Sequence, residues 1–309
     1  MSSFKDLRIV DNFYQTSSFF PMPTVMIGTL TEDGKTTFGA YSLVQPYYIA
    51  GKDYYAMLLC CRNSSNTAQN ILRNKKCTLN FIPDKRKYFK EAVRMGFPGD
   101  TPEEKMKDCI FTLEEGLMKA ADPEVQYPKV IAECFQAFEC TWVDTLDNAQ
   151  DEKPGLLNGY PAPYHDFNGI TSEFGAHFIL KVDKILMKEK YYNAIINGVK
   201  AGDFPPVPVD YGYRDSKNFW YTKFRRPIPE LLPVRETTVA SVKYAADRID
   251  DKIKFTDEAC AKLVKVPRIF LPTALKGCVQ WARENNVELI TAEHMDIIND
   301  KRAKEKNKK

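Results

Sequence analysis

Thr24-Val-Met-Ile-Gly-Thr-Leu-Thr-Glu-Asp-Gly-Lys-Thr-Thr-Phe-Gly-Ala-Tyr-Ser42 reads as two β-strands folded back on a tight turn. Residues 24–30 are mostly β-branched or apolar, Asp33-Gly34 is a strong hairpin signal, and residues 36–42 bring the chain back. Further on, residues 54–61 form a continuous apolar run, the pattern of a strand covered on both faces. A polar turn, Arg62-Asn-Ser-Ser-Asn-Thr67, leads into a short helix ending near Arg73. Residues 77–82 then make a fourth strand, stopped by Pro83. Four strands in sixty residues, joined by tight turns, predict a mainly β domain, a barrel with helical insertions.

Residues 84–132 change character. Charged helical stretches (85–94 and 102–108) alternate with Gly and Pro, and they predict an excursion over the barrel mouth. Strand signals return at residues 137–143 and 177–185. The segment Phe204-Pro-Pro-Val-Pro-Val-Asp210 is too rich in proline for an interior strand and is expected to lie across the surface. The domain is expected to span residues 1–226, followed by a linker over 227–251. Residues 252–309 read as a compact three-helix unit with a charged tail. Thr256 caps the first helix, Pro272 sits in the first turn of the second, and Thr291 caps the third with Ile290 and Met295 as a hydrophobic staple.

Composition narrows the function classes. The 309 residues are 44% hydrophobic and 28% charged, enough apolar material for a sizeable core. A net charge of +3 gives no reason to expect a nucleic-acid or membrane partner. The first residues carry mixed charge and no apolar run, and the eight cysteines are scattered without a C-x-x-C. A cytoplasmic protein with reduced thiols is the expectation. Cys60 and Cys61 are adjacent, so on a strand they face opposite sides, which argues against a shared metal. Only three histidines occur, His165, His177 and His294, far apart in sequence, and no metal site is expected. The sequence has no G-x-S-x-G, no P-loop and no G-x-G-x-x-G, so a nicotinamide nucleotide would not be held on a Rossmann turn.

The chemistry-bearing window is Gly39-Ala-Tyr-Ser-Leu-Val-Gln-Pro46 with Arg62-Asn-Ser-Ser-Asn-Thr-Ala-Gln-Asn-Ile71. A phosphate dianion needs a guanidinium, hydroxyl donors and the N–H groups at a helix start. Arg62, Ser64, Ser65 and Thr67 offer that set beside a helix. A plain polar loop with Asn66 or Thr67 as helix cap fits the same residues, and both readings stay open at this point. Backbone groups of Ala40, Tyr41, Ser42 and Leu43 offer donors and acceptors that a planar ligand's polar edge can use, and Tyr41 or Trp220 offers stacking surface. Trp220 lies in the aromatic cluster 218–222, which reads equally as core or interface.

These residues resemble the flavin reductase-like, FMN-binding split-barrel family, which includes flavoredoxins. The resemblance rests on Phe20-Pro-Met-Pro-Thr-Val, Asp33-Gly34, Ala40-Tyr-Ser42, Arg62–Thr67, Asn70-Ile71 and Leu79-Asn80-Phe. Tyr127-Pro-Lys-Val-Ile-Ala-Glu, Phe138-Glu-Cys140 and His177-Phe-Ile-Leu-Lys-Val-Asp follow in the same order, so it spans residues 15–222. It implies a homodimer that binds FMN, with the flavin ring against residues 40–42 and the phosphate at the Arg62–Thr67 turn, and it adds Asn63 and Asn70 as cofactor-binding candidates, Asn70 reading equally as a side chain bonded to the backbone. It further implies an oxidoreductase in which NADH, NADPH or another donor reduces the flavin. A non-enzymatic electron carrier and a flavin-binding protein without turnover are the alternatives. One departure is Gln45-Pro-Tyr-Tyr-Ile-Ala-Gly-Lys-Asp53, longer and more aromatic than the family's usual connection. The tail, from Phe255-Thr-Asp-Glu-Ala to Leu289-Ile-Thr291, resembles the small C-terminal domain of one subunit of light-independent protochlorophyllide reductase. It implies an interaction module for a redox partner protein, and no site residue carries over from it.

Overall fold

A computed structural model describes residues 22–47, 55–96, 101–143, 168–200, 202–214, 219–222, 237–247, 249–250 and 252–306. The chain forms two compact units, Met1–Pro229 and Glu230–Lys309.

In the first unit the strands are β1 (Met22–Pro23), β2 (Val25–Leu30), β3 (Thr36–Tyr41), β4 (Val44–Tyr47), β5 (Ala56–Arg62) and β6 (Lys76–Phe81). They continue with β7 (Leu113–Glu114), β8 (Val130–Ile131), β9 (Gln136–Trp142), β10 (Gly169–Ile170), β11 (Gly175–Met187), β12 (Val209–Arg214) and β13 (Phe219–Thr222). The main sheet runs β3-β2-β6-β9-β11-β5-β4, antiparallel throughout, with β10 also on β11. Its two end strands, β3 and β4, are consecutive in the chain and separated only by Ser42 and Leu43. The three Cα steps from Tyr41 to Val44 span no more than about 11 Å, so the sheet must curl until its ends meet. The seam is covalent and lacks a ladder, which makes the barrel a split one.

Strand alternation sorts the side chains into two sets. Val25, Ile27, Val44, Met57, Leu59, Cys77, Leu79, Cys140, Trp142, Ala176, Phe178 and Leu180 come from six strands yet form one cluster, so they line the inside. Helix α1 (Asn66–Asn74) closes that core with Ala68 and Ile71, both fully buried. Cys61 packs with the inner set and Cys60 with a separate outer patch of Ala56, Leu58 and Ile179.

The insertion departs from its expected place. Helices α2 (Arg86–Met95) and α3 (Pro102–Met106), with β7 and β8, cover the outer face of β2, β3 and β6, while α4 (Leu117–Ala121) lies against β9 and β11, and none of them is packed as a cover for the mouth. The cause is the alternation itself. Met26 and Phe38 point outward, and Tyr88, Ala92 and Met95, spaced as one helix face, bury them. Outward polar side chains then pin the insertion's backbone. Thr78 Oγ1 donates to Lys129 O at 3.2 Å, and Asn80 Oδ1 accepts from Ile131 N at 2.9 Å. The Glu139 carboxylate accepts from the N–H groups of Leu117 and Met118 at 3.0 and 3.1 Å.

Two further stretches differ from the sequence reading. Residues 44–47 are a strand, not a loop. Pro46 is tolerated there because β4 is an end strand with no partner on its outer side among the described residues. The proline-rich segment before Val209 is irregular, but Val209 and Asp210 pair with Pro23 and Met22 and also with β13. Helix α5 (Glu189–Asn197) follows β11.

The second unit contains α6 (Val239–Asp247), β14 (Lys254–Phe255), α7 (Asp257–Leu263), α8 (Leu271–Glu284), β15 (Leu289–Ile290) and α9 (Ala292–Lys306). Thr256 Oγ1 accepts from Ala259 N at 3.2 Å, and Pro272 lies in the first turn of α8. Thr291 precedes α9, whose Met295 is buried with Ile290 in the same core. The expected linker over 227–251 is corrected in part. Helix α6 falls inside it and contributes Val242 and Ala246 to that core. With only two buried residues at i and i+4, its apolar face is too narrow to stand out in sequence.

Candidate functional site

Three pieces of chain meet at one end of the barrel: the end of β3 with Ser42 and Leu43, the end of β5 with the turn 62–65, and the start of α1. The turn is built by local bonds. Ser65 N donates to Arg62 O at 3.1 Å, and Ser65 Oγ caps α1 by accepting from Ala68 N at 3.1 Å. The helix cap is therefore Ser65, one residue before the pair named by the sequence. Asn63 holds the turn from the other side. Its N–H donates to Phe174 O at 3.1 Å, its amide to Glu173 O at 2.8 Å, and its carbonyl accepts from Gln69 at 2.7 Å.

The hydroxyls of the turn divide into two groups. Thr67 is buried, and its hydroxyl meets the Tyr41 phenol, which also bonds Ser65. Burial pushes the Tyr41 phenol above its ordinary range, against the lowering effect of these two bonds. Ser65 also bonds the Cys61 thiol, which burial pushes up to about 12, so at neutral pH it is a thiol and no nucleophile. Gly39 makes this closeness possible. A Cβ there would lie 2.8 Å from Thr67 Oγ1 and 2.9 Å from the Tyr41 ring. Sequence reasoning named Gly39 and Cys61 but gave neither a role in the site. The signal for Gly39 was present, since a glycine inside a strand marks the close approach of another element.

Arg62 and Ser64 face solvent instead. The Arg62 guanidinium has no ion-pair or side-chain hydrogen-bond partner among the described residues. Leu43 is 54% exposed at the seam, and its carbonyl accepts from Cys60 N at 3.0 Å. Ala40 and Ser42 are half-buried, Ala40 packing toward α2 on the outer side. Because β3 is an end strand among the described residues, alternate N–H and C=O groups along it point away from β2 with no described sheet partner. Asn70 takes no part in the turn's exposed side. It is buried, donating to Thr29 Oγ1 at 3.0 Å and accepting from Arg73. Trp220 lies on β13, and its side chain falls outside the described residues.

Among the described residues, the arrangement thus presents a guanidinium without a partner, an exposed serine hydroxyl and the start of a nine-residue helix, next to a strand edge with no sheet neighbour. Those groups fit a phosphate-bearing planar ligand: the dianion at the helix start, the ring's polar edge on backbone donors and acceptors. Among the described residues no group of His, Cys, Asp and Glu is placed to hold a metal ion.

No family model matches the chain, and no curated protein matches it. Solved structures do. A 2-nitrobenzoate 2-nitroreductase of Pseudomonas fluorescens is 15% identical with a TM-score of 0.50, covering 76% of this chain and 98% of that one. Nitrilotriacetate monooxygenase component B of Bacillus cereus is 15% identical with a TM-score of 0.49, covering 74% and 98%. Flavoredoxin of Methanosarcina acetivorans is 15% identical with a TM-score of 0.47, covering 75% and 95%. At these identities the likeness is one of fold. The chain has the curled antiparallel split barrel seen in such proteins, with a helical unit after it.

Proposed function

We propose that this protein is an FMN-dependent oxidoreductase of the flavin reductase type. The observation that carries the reading is the turn 62–65: an exposed guanidinium without a partner among the described residues, beside Ser64 and the start of α1. It sits in the barrel at the seam, beside a strand edge that has no sheet partner among the described residues.

Arg62 and Ser64 bind the phosphate, with the N-terminal end of α1 directed at the same charge. Ser65 and Thr67 act indirectly. By bonding the Tyr41 phenol they fix the end of β3 against α1, which sets the distance between the phosphate turn and the strand edge. Backbone groups of residues 40–43 orient the ring. When bound, FMN supplies the redox chemistry, accepting hydride from a reduced nicotinamide or electrons from another donor and passing them on. The protein needs no acid or base of its own for that transfer, which agrees with the inert Cys61 and the scarcity of histidine.

The binding mode has a direct test in solution. Titrated with FMN and with riboflavin, the protein is expected to hold FMN at least about 10-fold more tightly, the worth of one charge-assisted contact. Equal affinities would show that the turn does not bind phosphate.

A further inference from the structure

The turn between α7 and α8 holds large apolar side chains outside the fold. Ile269 is 79% exposed and Phe270 61% exposed, although Leu263 before them and Leu271 after them are buried in the core of the second unit. The turn is rigidly built. Val266 N donates to Leu263 O at 3.0 Å, Phe270 N to Pro267 O at 2.8 Å, and Ala274 N to Phe270 O at 2.9 Å. Pro267 adds its fixed φ. The two side chains are therefore held in solvent by the backbone.

Charge gathers around the same place. Residues 259–283 contain Lys262, Lys265, Arg268, Lys276 and Arg283 and no Asp or Glu, in a chain that is otherwise nearly balanced. Lys262 pairs with Asp296 and Arg283 with Asp250. Lys265, Arg268 and Lys276 are exposed and have no ion-pair partner among the described residues. The positive end of the 14-residue helix α8 lies there too.

We infer that this turn is a docking site for an anionic phospholipid surface. Ile269 and Phe270 enter the acyl boundary while Lys265, Arg268 and Lys276 meet the headgroups. An exposed apolar pair with exposed cations close to it in sequence is the chemistry that such an interface recognises. The patch is small for a protein partner. Residues 264–270 with Lys276 are eight, where a stable protein interface takes about 20–30 residues a side. The turn also offers no polar side chain besides its two cations, so it cannot supply the hydrogen-bonding rim of a protein interface. No helix among the described residues is long and apolar enough to cross a membrane, and the association would be peripheral and reversible.

The test is co-sedimentation of the full chain with vesicles of phosphatidylcholine alone and of phosphatidylcholine mixed with phosphatidylserine. Binding is expected only to the mixed vesicles, weakening as salt shortens the Debye length from about 10 Å toward 3 Å. The Ile269→Ser/Phe270→Ser variant and the Lys265→Glu/Arg268→Glu/Lys276→Glu variant are each expected to partition at least about 10-fold less. Both alter exposed positions only, and unchanged melting and FMN titration report an intact fold. Removing residues 301–309, a second basic stretch, is expected to leave most of the binding. No binding to the mixed vesicles would overturn the inference and favour an acidic protein partner. Full binding by the serine variant, or loss of binding on removing the tail alone, would overturn it as well.

Discussion

Arg62→Ala is expected to weaken FMN binding by about 10- to 100-fold and to leave riboflavin binding and melting temperature nearly unchanged. The range follows from a charge-assisted hydrogen bond worth roughly 1.5–3 kcal/mol, at 1.4 kcal/mol for each factor of ten. The selectivity follows from position. Arg62 is exposed at the end of β5 and bonds within the turn only through its carbonyl, so truncating the side chain removes no described contact of the fold. Surface changes of that kind alter stability by about 0.5 kcal/mol or less. Arg62→Lys keeps the charge but loses the two-pronged geometry and should fall between the parent and the alanine variant. A fall in riboflavin affinity equal to that for FMN would mean that Arg62 shapes the ring site and does not hold the phosphate.

The second large effect lies on the outer face of the barrel, far from that turn in sequence. Gly116→Ala should destabilise the protein by about 2–4 kcal/mol, because its Cβ would fall 2.1 Å from Oε1 of Glu139. Glu139 is fully buried, and burial pushes its carboxyl above the ordinary range despite the bonds from Met118 and Leu117. Truncating it to alanine leaves two N–H groups at the start of α4 without their acceptor and a cavity behind them, a loss of similar size. In a unit of this size each kcal/mol moves the melting temperature by about 2–4 °C. The decisive comparison is the double variant. With the carboxylate gone the added methyl has room, so Gly116→Ala/Glu139→Ala should melt no lower than Glu139→Ala alone. Additive losses would show that Gly116 is needed for a reason other than Glu139.

How far the sequence carries such conclusions depends on whether the deciding contacts are local. The hairpin was legible because its chemistry lies within it. Gly34 has φ +76°, Leu30 faces Thr36, and Thr31 N donates to Lys35 O at 2.9 Å. The caps at Thr256 and Thr291 and the polar turn after β5 were legible for the same reason. Strand β4 was not, because a proline in a four-residue strand reads as loop until its place at the sheet edge is known. The position of the insertion depended on which face of β2 and β3 turned outward, a fact set by the curl of the whole sheet.

Within the site the turn itself was readable, but the split among its hydroxyls was not. Ser65 and Thr67 turn inward to Tyr41, a residue more than twenty positions earlier on a strand at the sheet's other end. Asn70 shows the same limit. The family resemblance makes it a cofactor-binding candidate, whereas its partners, Thr29 on β2 and Arg73 one turn on, give it a packing role.

The measurement closest to the central claim is the visible absorption spectrum of the freshly purified protein, supplemented with FMN if pale, then recorded anaerobically with NADH and NADPH in turn. The expected result is a protein-bound flavin band that bleaches with at least one nucleotide, as a flavin oxidoreductase requires. A bound flavin that neither nucleotide reduces would contradict the enzyme and leave a carrier. A protein that retains no flavin after FMN is added would contradict the site as well.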